Sequence, residues 1–311
     1  MNATRPHATG ERGQVLAIFA LALVAIIALT GLVIDGGAST VQRRDEQNVA
    51  DSAALAAAFN YVNTKSTASA TQAAWDVAAA NGYSHTAPGT AVDVTITTGN
   101  PNKFTVVVTR PHQNYFSGAV GMSSWNVSAT ATAIGGRPNV AYGVMPIMFN
   151  QAVLNNGYGP TNTLSYGEPG SGTEDVPQGN AQFNWTVFCD DPGCAGTNAD
   201  SSTVDGLIND KGNSQKVALS DGLAPLNAGA HTTLFSDMAQ WIGTEFPVPI
   251  VDDSGTMLGW AMFHLTGSVG GSTKQLTGYF VSPINPKSLG YDDSGGDPTV
   301  VTGAYSVQLN N

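Results

Sequence analysis

Twenty consecutive residues near the N-terminus, Val15 to Ile34, read VLAIFALALVAIIALTGLVI and carry no charge. At helical rise such a run is about 30 Å long, the hydrocarbon thickness of a bilayer. A cleavable secretory signal has an apolar region of about 7–15 residues followed by a small-x-small site. Here Leu32, Val33 and Ile34 carry the run past the small residues around Ala28 and Thr30. A helix buried in a soluble core would need polar residues on one face. The expectation is an uncleaved single-pass transmembrane helix over 15–34, preceded by a tail of residues 1–14.

Orientation does not follow from the flanking cations. Arg5 and Arg12 precede the run, Arg43 and Arg44 follow it, and the positive-inside count is nearly balanced. The cysteines say more. Cys189 and Cys194 are the only two, in C-D-D-P-G-C, and Asp191-Pro192-Gly193 favours a tight turn between them. A disulfide is expected there; the alternatives are two unpaired thiols, or a zinc site that would need two more ligands. Disulfides persist outside the cytoplasm. The expectation is therefore a cytoplasmic tail and an extracytoplasmic body on a bacterial cell membrane.

Only 11 % of the residues are charged, against about 25 % in ordinary globular domains. Gly, Ser, Thr, Asn and Ala fill the difference, which suits a turn-rich β protein. The net charge of −11 falls mostly after residue 140. An acidic body excludes nucleic acid as a partner and does not attract anionic headgroups.

Beyond the apolar run the pattern stays helical. Asp35-Gly36-Gly37 marks the interface, and each glycine weakens a helix by about 1 kcal/mol, which permits a kink. From Ser39 to about Asn63 helix formers dominate, with Ala50, Ala53, Ala54 and Ala57 on one face. So small a stripe allows close approach, either by the chain's own sheet or by a neighbouring subunit as an assembly face. A second helix is expected from Thr67 to Asn81, stopped by Gly82. Val92, Val94 and Ile96, then Phe104, Val106 and Val108, alternate as a β-hairpin around Gly99–Asn102. Pro111 to Gly121 reads as a short irregular connection, and Ser124 to Ile134 as a third strand.

Residues 13–58, GQVLAIFALALVAIIALTGLVIDGGASTVQRRDEQNVADSAALAAA, resemble the N-terminal segment of the Tad (tight adherence) family, the TadE/TadG-like proteins of Flp pilus assembly. The matching positions are Gly13, Asp35 with Gly37, Arg43 with Arg44, and Gln47, Asn48, Asp51, Ala53, Ala54, Leu55 and Ala56. The stretch NYFSGAVGMSSWNVSATATAI (114–134) resembles the pattern that closes the head of these proteins. The resemblance covers about the first 135 residues. It implies a pilin-like head over 35–139, a membrane-bound place in a pilus or secretion apparatus, and no catalytic residues. Its implied partners are the lipid bilayer, other membrane proteins of the pilus or secretion system, and further copies of the chain. Processed type IV-type pilins are cut after a Gly and usually carry Glu five residues on; here that position is Ile18.

Residues 140–311 read as mostly β, sandwich-like, with strands over Tyr142–Phe149, Phe183–Phe188, Met257–Leu265 and Gln275–Ser282. A long loop is expected at 155–180. Short helices are expected after a capping box at Ser202–Asp205 and over Thr233–Trp241. PIVDDSGTM (249–257) mimics the Asp-x-Ser-x-Ser start of a von Willebrand A metal site, through Asp252, Ser254 and Thr256. Too little chain follows to complete such a domain, so a hairpin is the better reading.

The overall fold class is thus α+β. The five histidines are scattered, and neither a hydrolase elbow nor a phosphate-binding loop occurs. The expected function is a non-enzymatic, cofactor-free, membrane-anchored assembly component; the alternative is an anchored module that binds a glycan or envelope partner through Trp125, Trp185, Trp241 or Trp260. One acidic loop, with Asp292, Asp293 and Asp297, has hard oxygens suited to Ca²⁺ but lacks the full EF-hand spacing and its terminal Glu, and a solvated turn is the simpler reading.

Overall fold

A computed structural model describes residues 11–99, 101–169, 176–189, 200–210, 213–226, 231–283, 286–292 and 298–310. Helix α1 (Glu11–Thr64) is continuous over 54 residues, about 80 Å at 1.5 Å per residue. It does not break at Gly36-Gly37. The Ser39 and Thr40 hydroxyls both donate to Gly36 O at 2.9 Å. Its apolar first part lies bare: Val15, Leu16, Leu21, Val24, Leu29 and Val33 are each more than 60 % exposed.

The second part of α1 is built for packing. Ala50, Ala53, Ala54, Ala57 and Ala58 are fully buried. Against them lies α2 (Thr67–Ala80), whose Ala70, Ala74 and Ala78 are also fully buried. Alanine facing alanine lets the two backbones approach closely and loses no side-chain entropy. Ser66 caps α2 by accepting from Ser69 N, and Gly82 (φ +86°) takes the left-handed turn that ends it.

The helices cover an antiparallel sheet in the order β1 (Ala91–Thr97), β2 (Asn102–Gln113), β3 (Ser124–Gly136) and β14 (Ser306–Leu309). Val94 pairs with Val106 and Val106 with Ala131. Phe104, Val106, Val108, Ala131 and Ala133 point into the helix layer and are buried. Strand β2 runs on to Gln113, through the segment expected to be irregular. Beyond Thr109 it has left β1 and has only β3 beside it, an edge position at which Pro111 is tolerated.

The remaining chain forms a β-rich body. A seven-stranded mixed sheet runs β6 (Leu164–Gly167), β12 (Gln275–Val281), β11 (Met257–Val269), β10 (Glu245–Val251), β5 (Ile147–Asn150), β7 (Phe183–Cys189), β9 (Gly222–Pro225). Strands β5 and β10 are parallel. One face packs on α3 (Ser201–Asn209) and α4 (Thr232–Met238) through Val204, Ile208, Leu234 and Phe235. The other meets a three-stranded sheet of β13 (Leu289–Gly290), β4 (Val140–Val144) and β8 (Asn213–Ala218). Strand β11 sits between the two layers. Ala261, Phe263 and Leu265 face the helices, while Trp260 and Met262 face the small sheet.

This differs from the expected sandwich, because helices take one face of the large sheet. A strand covered on both faces reads as a near-continuous apolar run instead of an alternating one, as GWAMFHL does. The strand expected over Tyr142–Phe149 is two strands in different sheets, broken at Met145-Pro146. The α3 cap lies earlier than the expected box: Asp200 accepts from Thr203 N at 2.9 Å. Ser254, placed in the turn between β10 and β11, donates its N–H and its hydroxyl to Asp252. Thr256 N donates to the same Asp252 oxygen, so this carboxylate accepts within its own turn.

The last strand returns to the first sheet. Val307 of β14 pairs with Gly135 of β3 and is buried in the α1–α2 core. The Lys65 ammonium sits 3.7 Å from the centre of the Tyr305 ring, a cation–π contact at the turn between the two helices. Deleting residues 304–310 is expected to raise amide exchange at Ala133–Gly136 in the N-terminal unit, more than 160 positions away in sequence. Unchanged protection at β3, read by hydrogen–deuterium exchange, would show that this strand contributes nothing to the head.

Candidate functional site

The residues singled out along α1 converge where the bare apolar part meets the packed part. Asp35 is fully buried. Its carboxylate accepts from three successive backbone N–H groups of the β2–β3 connection: Tyr115 at 2.9 Å, Phe116 at 3.1 Å and Ser117 at 2.7 Å. The connection can present them in a row because it folds into a 3-10 turn over Ser117–Val120, closed by Gly121 at φ +91°. Such a concave set of N–H groups is an anion nest. Burial alone would push the Asp35 carboxyl up. The hydrogen bonds from Ser117, Tyr115 and Phe116 outweigh it and hold the pKa at about 2.

One turn earlier, Gly31 supplies the matching slot. A Cβ there would lie 2.3 Å from Phe116 Cβ, so only glycine admits the ring. Gly37 differs: a Cβ built on it meets nothing within 4 Å, and the same holds for Gly36. Gly13 lies in the first turns of α1.

Below this clasp a polar seam ties α1 to the sheet. Gln42 Nε2 donates to Glu46 Oε1 at 2.9 Å and to Arg110 O at 3.1 Å, and Gln42 Oε1 meets His112 Nδ1 at 2.8 Å. Burial pushes the Glu46 carboxyl up, against the Gln42 hydrogen bond. Gln47 Nε2 donates to Asp51 Oδ1 at 2.8 Å and to Thr130 O of β3 at 3.1 Å. Asn48 faces solvent, and its carbonyl accepts from the Ser52 hydroxyl. Ala50, Ala53, Ala54 and Ala57 are covered by the chain's own α2 and sheet. That coverage corrects the assembly-face reading, because no free surface remains along the stripe.

The other candidates do not assemble into a centre. Asp292 pairs with Lys216 at 2.7 Å, and its backbone holds Asn139 from both sides; Asp293 and Asp297 lie outside the described residues. Cys189 ends β7 opposite Gly222, and Cys194 lies outside the described residues. Trp185 and Trp260 are fully buried, which removes two of the four stacking candidates, and Trp241 donates its Nε1–H to Ile208 O. Among the described residues no cluster of three or more His, Cys, Asp or Glu could hold a metal.

The fold does bring together charges that the sequence keeps apart. The buried Glu168 side chain contacts His231 Nδ1 and lies 3.6 Å from Lys274 Nζ. His264 of β11 faces Glu245 of β10 at 3.5 Å. These are long-range pairs with no local signature. A cleft of about 550 Å³ is lined by Asn150, Gln151, Leu154, Tyr158, Asp253 and Val300. Its one charged group, Asp253, is engaged by Asn150 Nδ2 at 2.8 Å.

The clasp carries a pH signature. A carboxyl lowered from 3.8 to about 2 by folding contributes stability that is full above its unfolded value and is lost as pH falls through the folded one. Protection of the Tyr115–Ser117 amides, taken against the intrinsic exchange rate at each pH, is expected to fall on acidification across that window, and in Asp35→Asn to be low at every pH. Gly31→Ala is expected to loosen the same amides. Gly37→Ala is expected to leave them unchanged and to stabilise α1 by about 0.5–1 kcal/mol in thermal unfolding. Equal protection in Asp35→Asn and the parent protein would discount the clasp.

No curated protein and no solved structure matches the chain. Residues 13–60 match the family model "Putative Flp pilus-assembly TadE/G-like", so the stretch holding the apolar run, Asp35 and the alanine face is the part of the chain similar to that family.

Proposed function

We propose that this chain is a membrane-anchored, non-enzymatic component of a Tad-type Flp pilus or secretion assembly. Helix α1 crosses the cytoplasmic membrane once over residues 15–34, with the tail inside. The helix-and-sheet unit over 35–139 is a pilin-like head outside, and the acidic β body extends beyond it. The observation that carries this reading is a coincidence of position. The family-matched segment 13–60 contains both the exposed apolar run and the buried face that grips the sheet. A helix apolar enough to span a bilayer and continued into a packed head is a means of holding a head at a membrane surface.

Outward orientation is supported by the sequence C-D-D-P-G-C and by the acidity of the body, which disfavours contact with anionic headgroups or nucleic acid. Partners of such a component are the other membrane proteins of the same apparatus. With Ile18 in place of the usual Glu, the chain is read as an accessory subunit and not the major pilin.

Deletion of the gene is expected to reduce piliation or surface adherence, with restoration by the full chain but not by a version starting at residue 64. Protease added outside spheroplasts is expected to remove the body and leave a membrane-held N-terminal fragment. Intact mass after membrane extraction is expected to lie two hydrogens below the reduced value, the mark of a closed Cys189–Cys194 pair. Normal pili in the deletion strain, or a body protected from external protease, would overturn the role or the orientation respectively.

A further inference from the structure

The β2–β3 connection, Asn114 to Ser123, reads NYFSGAVGMS and carries no charge. It is a closed turn. Asn114 N donates to Ser123 O, Asn114 Nδ2 to Met122 O, and Met122 N to Ser117 O. Yet it leaves large side chains outside: Tyr115 is 76 % exposed, Met122 55 % and Phe116 42 %. A well-bonded turn tipped with an aromatic and a thioether is an odd surface to offer to water.

Its height along α1 decides what surrounds it. The turn is pinned at Gly31 by Phe116 and at Asp35 by its backbone. Gly31 lies inside the apolar run, and its neighbours Leu29, Leu32 and Val33 are 65 %, 58 % and 74 % exposed. The tip therefore sits within about one helical turn, 5.4 Å, of the end of the span. From Thr30 to Val41 the only charge is Asp35, and the turn's own N–H groups satisfy it. The next charges, the exposed Arg43 and Arg44, stand about 12 Å further along the helix, at headgroup or water level. Tyrosine and other amphipathic rings gather at this boundary between acyl chains and headgroups.

We propose that the β2–β3 tip is a second membrane contact, with Tyr115, Phe116 and Met122 seated in the interfacial layer of the bilayer beside α1. The head is then fixed at two points, and its rotation about the helix axis is restrained. This inference rests on α1 being membrane-spanning.

The full chain, with both cysteines native, is reconstituted in phosphatidylcholine–phosphatidylglycerol vesicles. An environment-sensitive fluorescent amino acid replaces Met122, Leu23 at mid-span, or Lys103 near the far end of β2, roughly 35 Å along the strand from the tip. The probe at 122 is expected to emit to the blue of the probe at 103. Nitroxide lipids labelled near the headgroup should quench it about twofold, and aqueous iodide little, as for a side chain in the interfacial layer. The probe at 23 should respond best to nitroxide deep in the acyl chains. A probe at 122 that behaves like the one at 103, with 23 in lipid, overturns the tip contact and leaves the span standing. Iodide access at 23 overturns both. A probe at 122 shielded from both quenchers means that protein covers the tip, a second copy or another subunit, and also overturns the proposal.

Discussion

A buried carboxylate facing three consecutive backbone N–H groups fixes the point at which one long helix passes from a bare apolar part to a packed one. On the N-terminal side of Asp35 the helix presents apolar side chains outward; on the C-terminal side it turns a face of alanines inward. A helix by itself gives a sheet no reason to stop at any height along it, since alanine packing is nearly indifferent to a shift of one turn. The charge-assisted bonds to Tyr115, Phe116 and Ser117, with Phe116 seated on Gly31, remove that freedom. Burying a carboxylate is costly unless its lone pairs are met, so any register that separates Asp35 from the turn is penalised. The Gln42 and Gln47 bonds to Arg110 O and Thr130 O repeat the constraint lower down with neutral partners.

The head fixed in this way is not closed by its own segment of chain. Its fourth strand comes from the last residues, so the N-terminal helix and the C-terminal strand share one core. The chain therefore crosses between head and body twice, once at 137–139 and once on the way to β14. Side chains cross-link the two passages. Arg137 Nη1 donates to Pro298 O at 3.1 Å, Asn139 exchanges two hydrogen bonds with the backbone of Asp292, and Gln308 Nε2 donates to Tyr291 O. A body hung on one strand could swivel about a few backbone dihedrals; two parallel tethers with bonds between them oppose that rotation.

Much of the N-terminal unit was legible in the sequence because its signals are local and periodic. The alanine spacing gave the buried face of α1, Gly82 gave the end of α2, and the alternation of Val92–Ile96 with Phe104–Val108 gave the hairpin. The family-typical Asp35 and Gln47 could be picked out, but their partners could not, since those lie some 80 positions away. Gly31 is a faint signal inside an apolar run: a glycine there sacrifices helix propensity and so hints at a close approach. In the body, Pro146 could have marked the break between β4 and β5, because a proline interrupts the ladder. The return of β14 had no legible signal: four residues, SVQL, are too few to show a period, and nothing in them names the edge they join. The Glu168–His231–Lys274 group was hidden for the same reason, as a cluster made only by tertiary folding.

These features share a mechanical logic. A chain that holds a β body at a set distance and angle from one long helix needs rigidity along that helix, a fixed register between helix and sheet, and resistance to twisting. The unbroken α1 provides the first even across Gly36-Gly37. The Asp35 clasp provides the second, and the paired chain crossings with β14 oppose the third. None of these requires a catalytic group, and each stands on contacts made within one chain. The glycines at 36 and 37 fit the same scheme in an unexpected way. Among the described residues no neighbour demands them, and α1 runs unbroken through them at the cost of weaker helix propensity.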